Sequence, residues 1–379
     1  MTDIWQKFHD DYPVNREMIW FNNCGTTPAA KSITAEVCKY LEAYAQRGIF
    51  ADGYSFMAVK NGIRDILAKL LNCSSDELVL IHNTSEGMNF VSHGARLVKG
   101  DHIVLLENEY PSNIYPWRHW EEKGVNISYA AMGNTPDEFM QNLAGAITPS
   151  TKLVSLSVVH WCTGMPLPLE EISDLCLERN IDFVLDGAQG VGHVPVDLGR
   201  LNVTAMAFPA WKWLLGPLGL GVLYINREKL DGIDVVFRGQ MSVKDSENYL
   251  PYKTELAAGA DRFAVSTPAF TEWVYFLSSL RMLEEAGFDR AMNRLYELSG
   301  YLMDRLREEG YNVFADNFPG VKTGIVVFDR DGSDSGLLYK KLQENGVVAA
   351  LRLGRVRLAP HIYNSTEQID RVLEILKTV

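Results

Sequence analysis

Five short clusters in this sequence carry side chains able to do chemistry, and each follows an apolar run. They are Asn83-Thr84-Ser85-Glu86-Gly87, Glu109-Tyr110, His160-Trp161-Cys162-Thr163-Gly164, Asp186-Gly187-Ala188-Gln189 and Trp211-Lys212-Trp213. A lysine can capture an aldehyde as a Schiff base, and a carboxylate can keep a nearby pyridine nitrogen protonated. Hydroxyls at the start of a helix, together with the unpaired N–H groups of its first turn, suit a phosphate dianion. An aromatic side chain offers a face on which a flat ring can stack.

Those four properties are what pyridoxal 5′-phosphate (PLP) asks of a protein. Lys212, Asp186, Thr84 with Ser85, and Tyr110 are the candidates for them. Each has a plainer reading. Ser85 and Glu86 also suit a helix cap followed by an acidic first turn, with a helix predicted from Ser85 to about residue 98. Asp186 alone reads as a turn or cap residue, and Lys212 between two tryptophans as a snorkelling side chain. What favours the cofactor is the order of these clusters on successive strand ends.

The elements that must position them are seven short β-rich runs: 77–81, 102–106, 126–130, 153–159, 182–185, 205–208 and 221–225. Runs such as LVSLSVV (153–159) are apolar without strict alternation, as expected of strands covered on both faces. One mostly parallel sheet with helices on both sides is therefore predicted, its last strand antiparallel because a Gly-rich turn rather than a helix leads to it. Ligands of such sheets bind beyond the carboxyl ends of the strands, where the five clusters lie. After about residue 265 the pattern changes to two long amphipathic helices, 269–285 and 288–309. Short strands near 311–314, 322–328 and 347–359 and a terminal helix after Ser365 follow. The expected division is a large α/β domain over 17–265 and a small α+β domain over 266–379, joined by the segment 1–16.

At 379 residues, with 47% hydrophobic and 22% charged side chains, the chain can bury a substantial core. A formal charge of −12 disfavours nucleic acid and anionic membrane as partners. No run approaches the roughly 20 apolar residues that span a bilayer, and the opening residues have no apolar core suited to a signal peptide, so a cytoplasmic enzyme is expected. Cys24, Cys38, Cys73, Cys162 and Cys176 are too scattered for a disulfide framework, and no metal centre is expected.

With these residues in place, the sequence resembles fold-type I PLP enzymes of the class V aminotransferase and cysteine desulfurase superfamily, over nearly its whole length. FNNCGTTP (21–28), NTSEGMN (83–89), LDGAQ (185–189), WKWLLGPLGLG (211–221), RFAVSTP (262–268) and VRLAPHIYNSTEQID (356–370) carry the resemblance. It implies that Lys212 binds PLP as a Schiff base, Asp186 pairs with the pyridine nitrogen, Gln189 bonds the phenolic oxygen and Tyr110 takes the stacking position. It implies further that Thr84 and Ser85 bind the phosphate and that Thr267 reaches the phosphate of a neighbouring subunit, making a homodimer with shared sites. Arg357 matches the arginine that grips a substrate α-carboxylate, with Arg352 its nearest rival. Cys24, Gly25 and Trp161 are expected along the substrate pocket.

Four departures from the family pattern stand out. The stacking residue is Tyr110 rather than histidine, and the serine and histidine that precede the lysine in desulfurases are Pro209 and Trp211 here. Trp161 replaces a smaller polar residue and makes the wall more aromatic. The segment VVAALRLGRVRLAP (347–360) contains no cysteine, so the persulfide route of group I and II desulfurases is not open to this chain. Cys24 and Cys162 read as small wall residues.

The expected activity is α-proton abstraction by Lys212 from an amino acid bound as an external aldimine. Transamination and C–S β-elimination are the two leading outcomes, with epimerisation of the isopenicillin N epimerase type third. A non-catalytic sensor that keeps the fold is the alternative of another class. Retention of Lys212, Asp186, Gln189 and Arg357 together speaks against it.

Overall fold

Alternate residues of the apolar runs face opposite sides of one sheet, and that explains why runs without polar positions are strands here. In the computed structural model, which describes residues 3–378, Val104, Leu106, Val154, Leu156, Phe183, Leu185, Met206 and Phe208 enter the core on one face. Their neighbours Ile103, Leu105, Leu153, Val184, Ala205 and Ala207 enter a second core on the other.

The strands in chain order are β1 (Ile19–Trp20), β2 (Leu78–Ile81), β3 (His102–Leu106), β4 (Asn126–Ala130), β5 (Thr151–Ser157), β6 (Asp182–Asp186), β7 (Ala205–Pro209), β8 (Gly221–Ile225), β9 (Asn312–Val313), β10 (Val326–Asp329), β11 (Val347–Val348), β12 (Ala350–Arg352) and β13 (Arg355–Leu358). All seven predicted runs join one sheet, in the order β2-β8-β7-β6-β5-β3-β4. The sheet is parallel except for β8, which runs antiparallel to both β2 and β7, as expected from the turn that precedes it. The edge strand β4 is the most exposed, and β3, β7 and β8 are buried throughout.

Helices Lys31–Arg47, Phe56–Leu71 and Phe270–Ala286 pack together over the first face, and Thr84–Gly94 and Tyr115–Glu122 cover the second. Helix Thr84–Gly94 approaches the sheet closely at Gly87, where a Cβ would lie 2.7 Å from both Ala207 Cβ and Ile81 Cδ1. That approach carries the helix N-terminus to the strand ends. The helix is shorter than predicted and starts one residue earlier. Asn83 is its cap, with Oδ1 accepting from Glu86 N, so Thr84 and Ser85 are already in the first turn.

The C-terminal part forms an antiparallel sheet, β12-β13-β10-β9, under helices Phe288–Glu308, Ser335–Glu344 and Thr366–Leu376. Val326, Phe328, Val356 and Leu358 face its core. The chain also ties itself together in a way no local pattern announces. β1 pairs in parallel with β11, and Phe21 enters the C-terminal core beside Leu298 and Leu302. Tyr12, after the first helix Ile4–Asp11, stacks on Tyr363 with centroids 3.8 Å apart.

Candidate active site

The carboxyl ends of β2, β3, β5, β6 and β7 open on one cavity of about 430 Å³, a volume within the ~300–1,000 Å³ usual for small-molecule sites. Eleven of the twelve predicted site residues line it: Cys24, Gly25, Thr84, Ser85, Tyr110, Trp161, Asp186, Gln189, Lys212, Arg352 and Arg357. The twelfth, Thr267, lies in a different cleft beside Lys60, His82 and Phe237.

Asp186 is the last residue of β6 and is 2% exposed. Its Oδ1 accepts from Ala188 N at 2.8 Å, whereas its buried Oδ2 has no partner. Burial raises its pKa, with the Ala188 N–H and then Lys212 acting in the opposite direction. A buried carboxylate oxygen without a partner is costly unless a ligand donates to it.

Lys212 follows β7 in a tight turn. Leu215, buried and left-handed at φ 57°, returns its N–H to Lys212 O at 3.1 Å, a conformation costing a non-glycine residue roughly 1–2 kcal/mol. The next N–H, of Gly216, bonds Ala210 O at 2.8 Å. Trp213 anchors the turn from inside, donating from Nε1 to Gln189 Oε1 at 3.0 Å and stacking on His193. Burial pulls the Lys212 pKa down to about 8, with Asp186 working against that fall and Arg357 adding to it. Its Nζ lies 5.6 Å from the centre of the Tyr110 ring.

Thr84 Oγ1 is buried and has no partner, and Ser85 Oγ sits 2.7 Å from Ser112 Oγ. Ser112 and Asn83 also line the cavity. Neither was among the predicted site residues. Ser112 stands at the start of a short 3-10 turn (Pro111–Asn113) that folding brings against residue 85. Gln189 bridges two elements, its Nε2 donating to Cys24 O at 2.8 Å. One amide N–H remains for a ligand.

Glu109 belongs to a predicted cluster but had no expected role. It is 6% exposed, and its two oxygens accept from Tyr110 N at 2.8 Å and Ser157 N at 2.9 Å. Burial, reinforced by the nearby Asp186, pushes its pKa up to about 7.

On the other wall, Tyr110 meets Trp161 edge to face, with centroids 5.3 Å apart. Arg357 is 2% exposed, donates from Nη1 to Trp161 O and leaves Nε unpartnered. Arg352 is exposed. The segment that carries a mobile cysteine loop in desulfurases is here a two-residue hairpin. Leu353 and Gly354, both at positive φ, join β12 to β13 between the paired Arg352 and Arg355. Burial pushes the Cys162 thiol up to about 12, which leaves it protonated at neutral pH.

An acceptor without a donor at the end of β6, an easily deprotonated amine after β7 and hydroxyls at a helix N-terminus are the groups that PLP would use. The donor set fits that cofactor.

Comparison with known proteins agrees. Residues 19–372 match the family model described as Aminotransferase class-V. A probable cysteine desulfurase of Pyrococcus abyssi is 28% identical, the match covering 97% of this chain and 95% of that one. An uncharacterised aminotransferase of Schizosaccharomyces pombe is 25% identical over 98% of this chain and 95% of its own. Among solved structures, the cystine C–S lyase C-DES in complex with cysteine persulfide superposes with a TM-score of 0.87 at 24% identity, covering 96% of this chain and 98% of that one. The cysteine desulfurase of Thermococcus onnurineus gives 0.87 at 24% identity, with both chains covered in full. At these identities the structural likeness is one of fold.

Proposed function

The chain belongs to the class-V aminotransferase family, and from that premise we propose that it is a PLP-dependent enzyme that removes the α-proton of an amino acid, with Lys212 as the base. When bound, PLP supplies the aldehyde that captures the substrate's amino group and a pyridine ring that takes up the electrons left on the α-carbon. Lys212 holds the cofactor at rest and, once released, accepts the proton at Nζ. A pKa near 8 suits a base working at neutral pH. Asp186 Oδ2 would accept the pyridine N–H. Thr84 and Ser85 would hold the phosphate, Gln189 would offer its free amide N–H to the phenolic oxygen, and Tyr110 would cover the ring. Arg357 takes the α-carboxylate on Nε and its terminal nitrogens. Cys24, Gly25 and Trp161 close the substrate side.

The observation that carries this reading is the unpartnered, buried Oδ2 of Asp186 opening on the same cavity as Lys212. Two outcomes follow α-proton removal. With PLP bound, Lys212 returning the proton elsewhere than the α-carbon would give amino transfer, and expulsion of a β-sulfur group from the substrate would give C–S lysis. The β12–β13 hairpin carries no thiol, and neither outcome needs a thiol nucleophile, so both stay open. Incubating the holoenzyme with a panel of amino acids and assaying pyridoxamine phosphate, pyruvate and sulfide tests this. One of the two product sets is expected, and neither set across the panel contradicts the reading.

The same reading makes the unit a homodimer. Its support is the position of Thr267 outside the cavity of its own chain, together with exposed apolar side chains such as Ile49, Phe50, Leu250 and Tyr252. On this reading 17–265 is its large domain and 266–379 its small domain, joined by the segment 1–16, in which Tyr12 stacks on Tyr363. Five free cysteines suit the reducing cytoplasm. No helix among the described residues is long and apolar enough to cross a membrane.

A further inference from the structure

One face of the β12–β13 hairpin carries three guanidinium groups. Arg352 lies opposite Arg355 in the ladder and Ala350 opposite Arg357, so Arg352, Arg355 and Arg357 point to the same side. Their surroundings differ. Arg355 is compensated within the fold: its Nε bonds Asp329 Oδ2 at 2.9 Å, and its guanidinium lies over the Phe314 ring. Arg357 and Arg352 instead line the cavity, and among the described residues neither has a carboxylate partner.

Arg352 is also held over a fixed surface. Its guanidinium lies 5.9 Å from the centre of the Trp161 indole, and Nη1 bonds only the carbonyl of Leu351. Trp161 is fixed once at its ring and once at its backbone. Trp161 Nε1 donates to Asn108 O at 2.8 Å, from a residue in the left-handed conformation after β3, and the Trp161 carbonyl accepts from Arg357. A guanidinium on an anchored aromatic face loses less freedom when it meets an anion.

The charges lining the cavity are Lys212, Arg352 and Arg357 against Asp186 alone. With Lys212 and Asp186 committed to the cofactor and its phosphate assigned to Thr84 and Ser85, Arg352 and Arg357 are the cations left for the substrate, and an amino acid with one carboxylate engages one of them. We propose that the substrate is an amino acid carrying a second carboxylate on its side chain, and that Arg352 holds it. This rests on the reading that Arg357 takes the α-carboxylate. The two arginines stand one diagonal step apart, with Cα atoms roughly 7–8 Å from each other, a spacing suited to two anionic ends of one small molecule.

The test is calorimetric titration of the holoenzyme with succinate and glutarate against propionate and butyrate, which probe the cavity without reacting. The dicarboxylates are expected to bind at least tenfold more tightly. Arg352→Ala should bring them to within twofold of the monocarboxylates, and Arg352→Lys should keep part of the gap. Arg357→Ala should weaken both classes; if monocarboxylate affinity is unchanged there, the α-carboxylate reading fails, a result separate from the gap itself. Equal affinity for both classes in the wild type, no measurable succinate or glutarate binding, or a gap that survives Arg352→Ala overturns the proposal. So does a loss of PLP affinity in Arg352→Ala measured on the apoprotein, since Arg352 would then serve the phosphate.

Discussion

Asp186 and Lys212 open on one cavity from the ends of the neighbouring strands β6 and β7, and each favours the charged form of the other against the burial that both suffer. For Lys212 burial wins, and the amine titrates near 8. For Asp186 burial also wins, leaving an acid whose ionised form needs a donor on Oδ2. A cofactor with an aldehyde at one end and a basic ring nitrogen at the other satisfies both.

The first prediction concerns how fast the apoprotein takes up PLP covalently. Only the neutral amine attacks an aldehyde, so a pKa of about 8 makes the rate climb roughly tenfold per pH unit below that value and level off above it. Stopped-flow absorbance between pH 6 and 10 measures this. A rate that keeps rising to pH 10 would show that Lys212 titrates like a solvated lysine.

Asp186→Asn should separate binding from turnover. The amide occupies the same space and the phosphate contacts are untouched, so PLP stays bound. The ring nitrogen loses its countercharge, and kcat should fall by on the order of a hundredfold or more. Visible absorbance and steady-state kinetics on one preparation check both halves, and near-normal turnover would refute the role.

Glu109 gives a prediction about stability. Its folded pKa is raised to about 7 by burial and by Asp186. Its contribution is therefore fully present below the unfolded carboxylate value and is lost as pH rises through 7, by on the order of 3 kcal/mol. Melting curves of the apoprotein from pH 5 to 8 should show wild-type stability falling with pH. Glu109→Gln should flatten that fall while lowering stability at pH 5, because the amide accepts from only one of the Tyr110 and Ser157 N–H groups. An unchanged slope would place the titration elsewhere.

Thr267 bears on assembly. The chain should sediment as a dimer at micromolar concentration, and Thr267→Ala should weaken PLP retention without dissociating it. A fully active monomer would contradict the shared site.

Much of this was legible before folding because strands buried on both faces announce themselves. HIVLL (102–106) and GVLYI (221–225) became β3 and β8 with unchanged boundaries, and the cavity-lining Tyr110 follows β3. Pairings formed at long range were not legible. β1 is two residues long, too short for any periodicity, and its partner lies more than 300 positions away. Ser112 gives no local signal, since its relation to Ser85 exists only once β3 and the helix after β2 stand side by side. The helix start shifted because Asn83 and Ser85 are both good caps, and the backbone at the end of β2 chose Asn83. The difference in burial between Arg352 and Arg357 is not encoded in the sequence motif.

The central claim is that Lys212 carries the cofactor. Borohydride reduction of the holoenzyme, followed by peptide mapping by mass spectrometry, tests it directly. The pyridoxyl group should be found on the peptide containing Lys212 and on no other, the visible band should vanish on reduction, and Lys212→Ala, still folded, should show neither label nor turnover. A label on a different lysine, or a Lys212→Ala variant that keeps its visible band and its activity, would contradict the account.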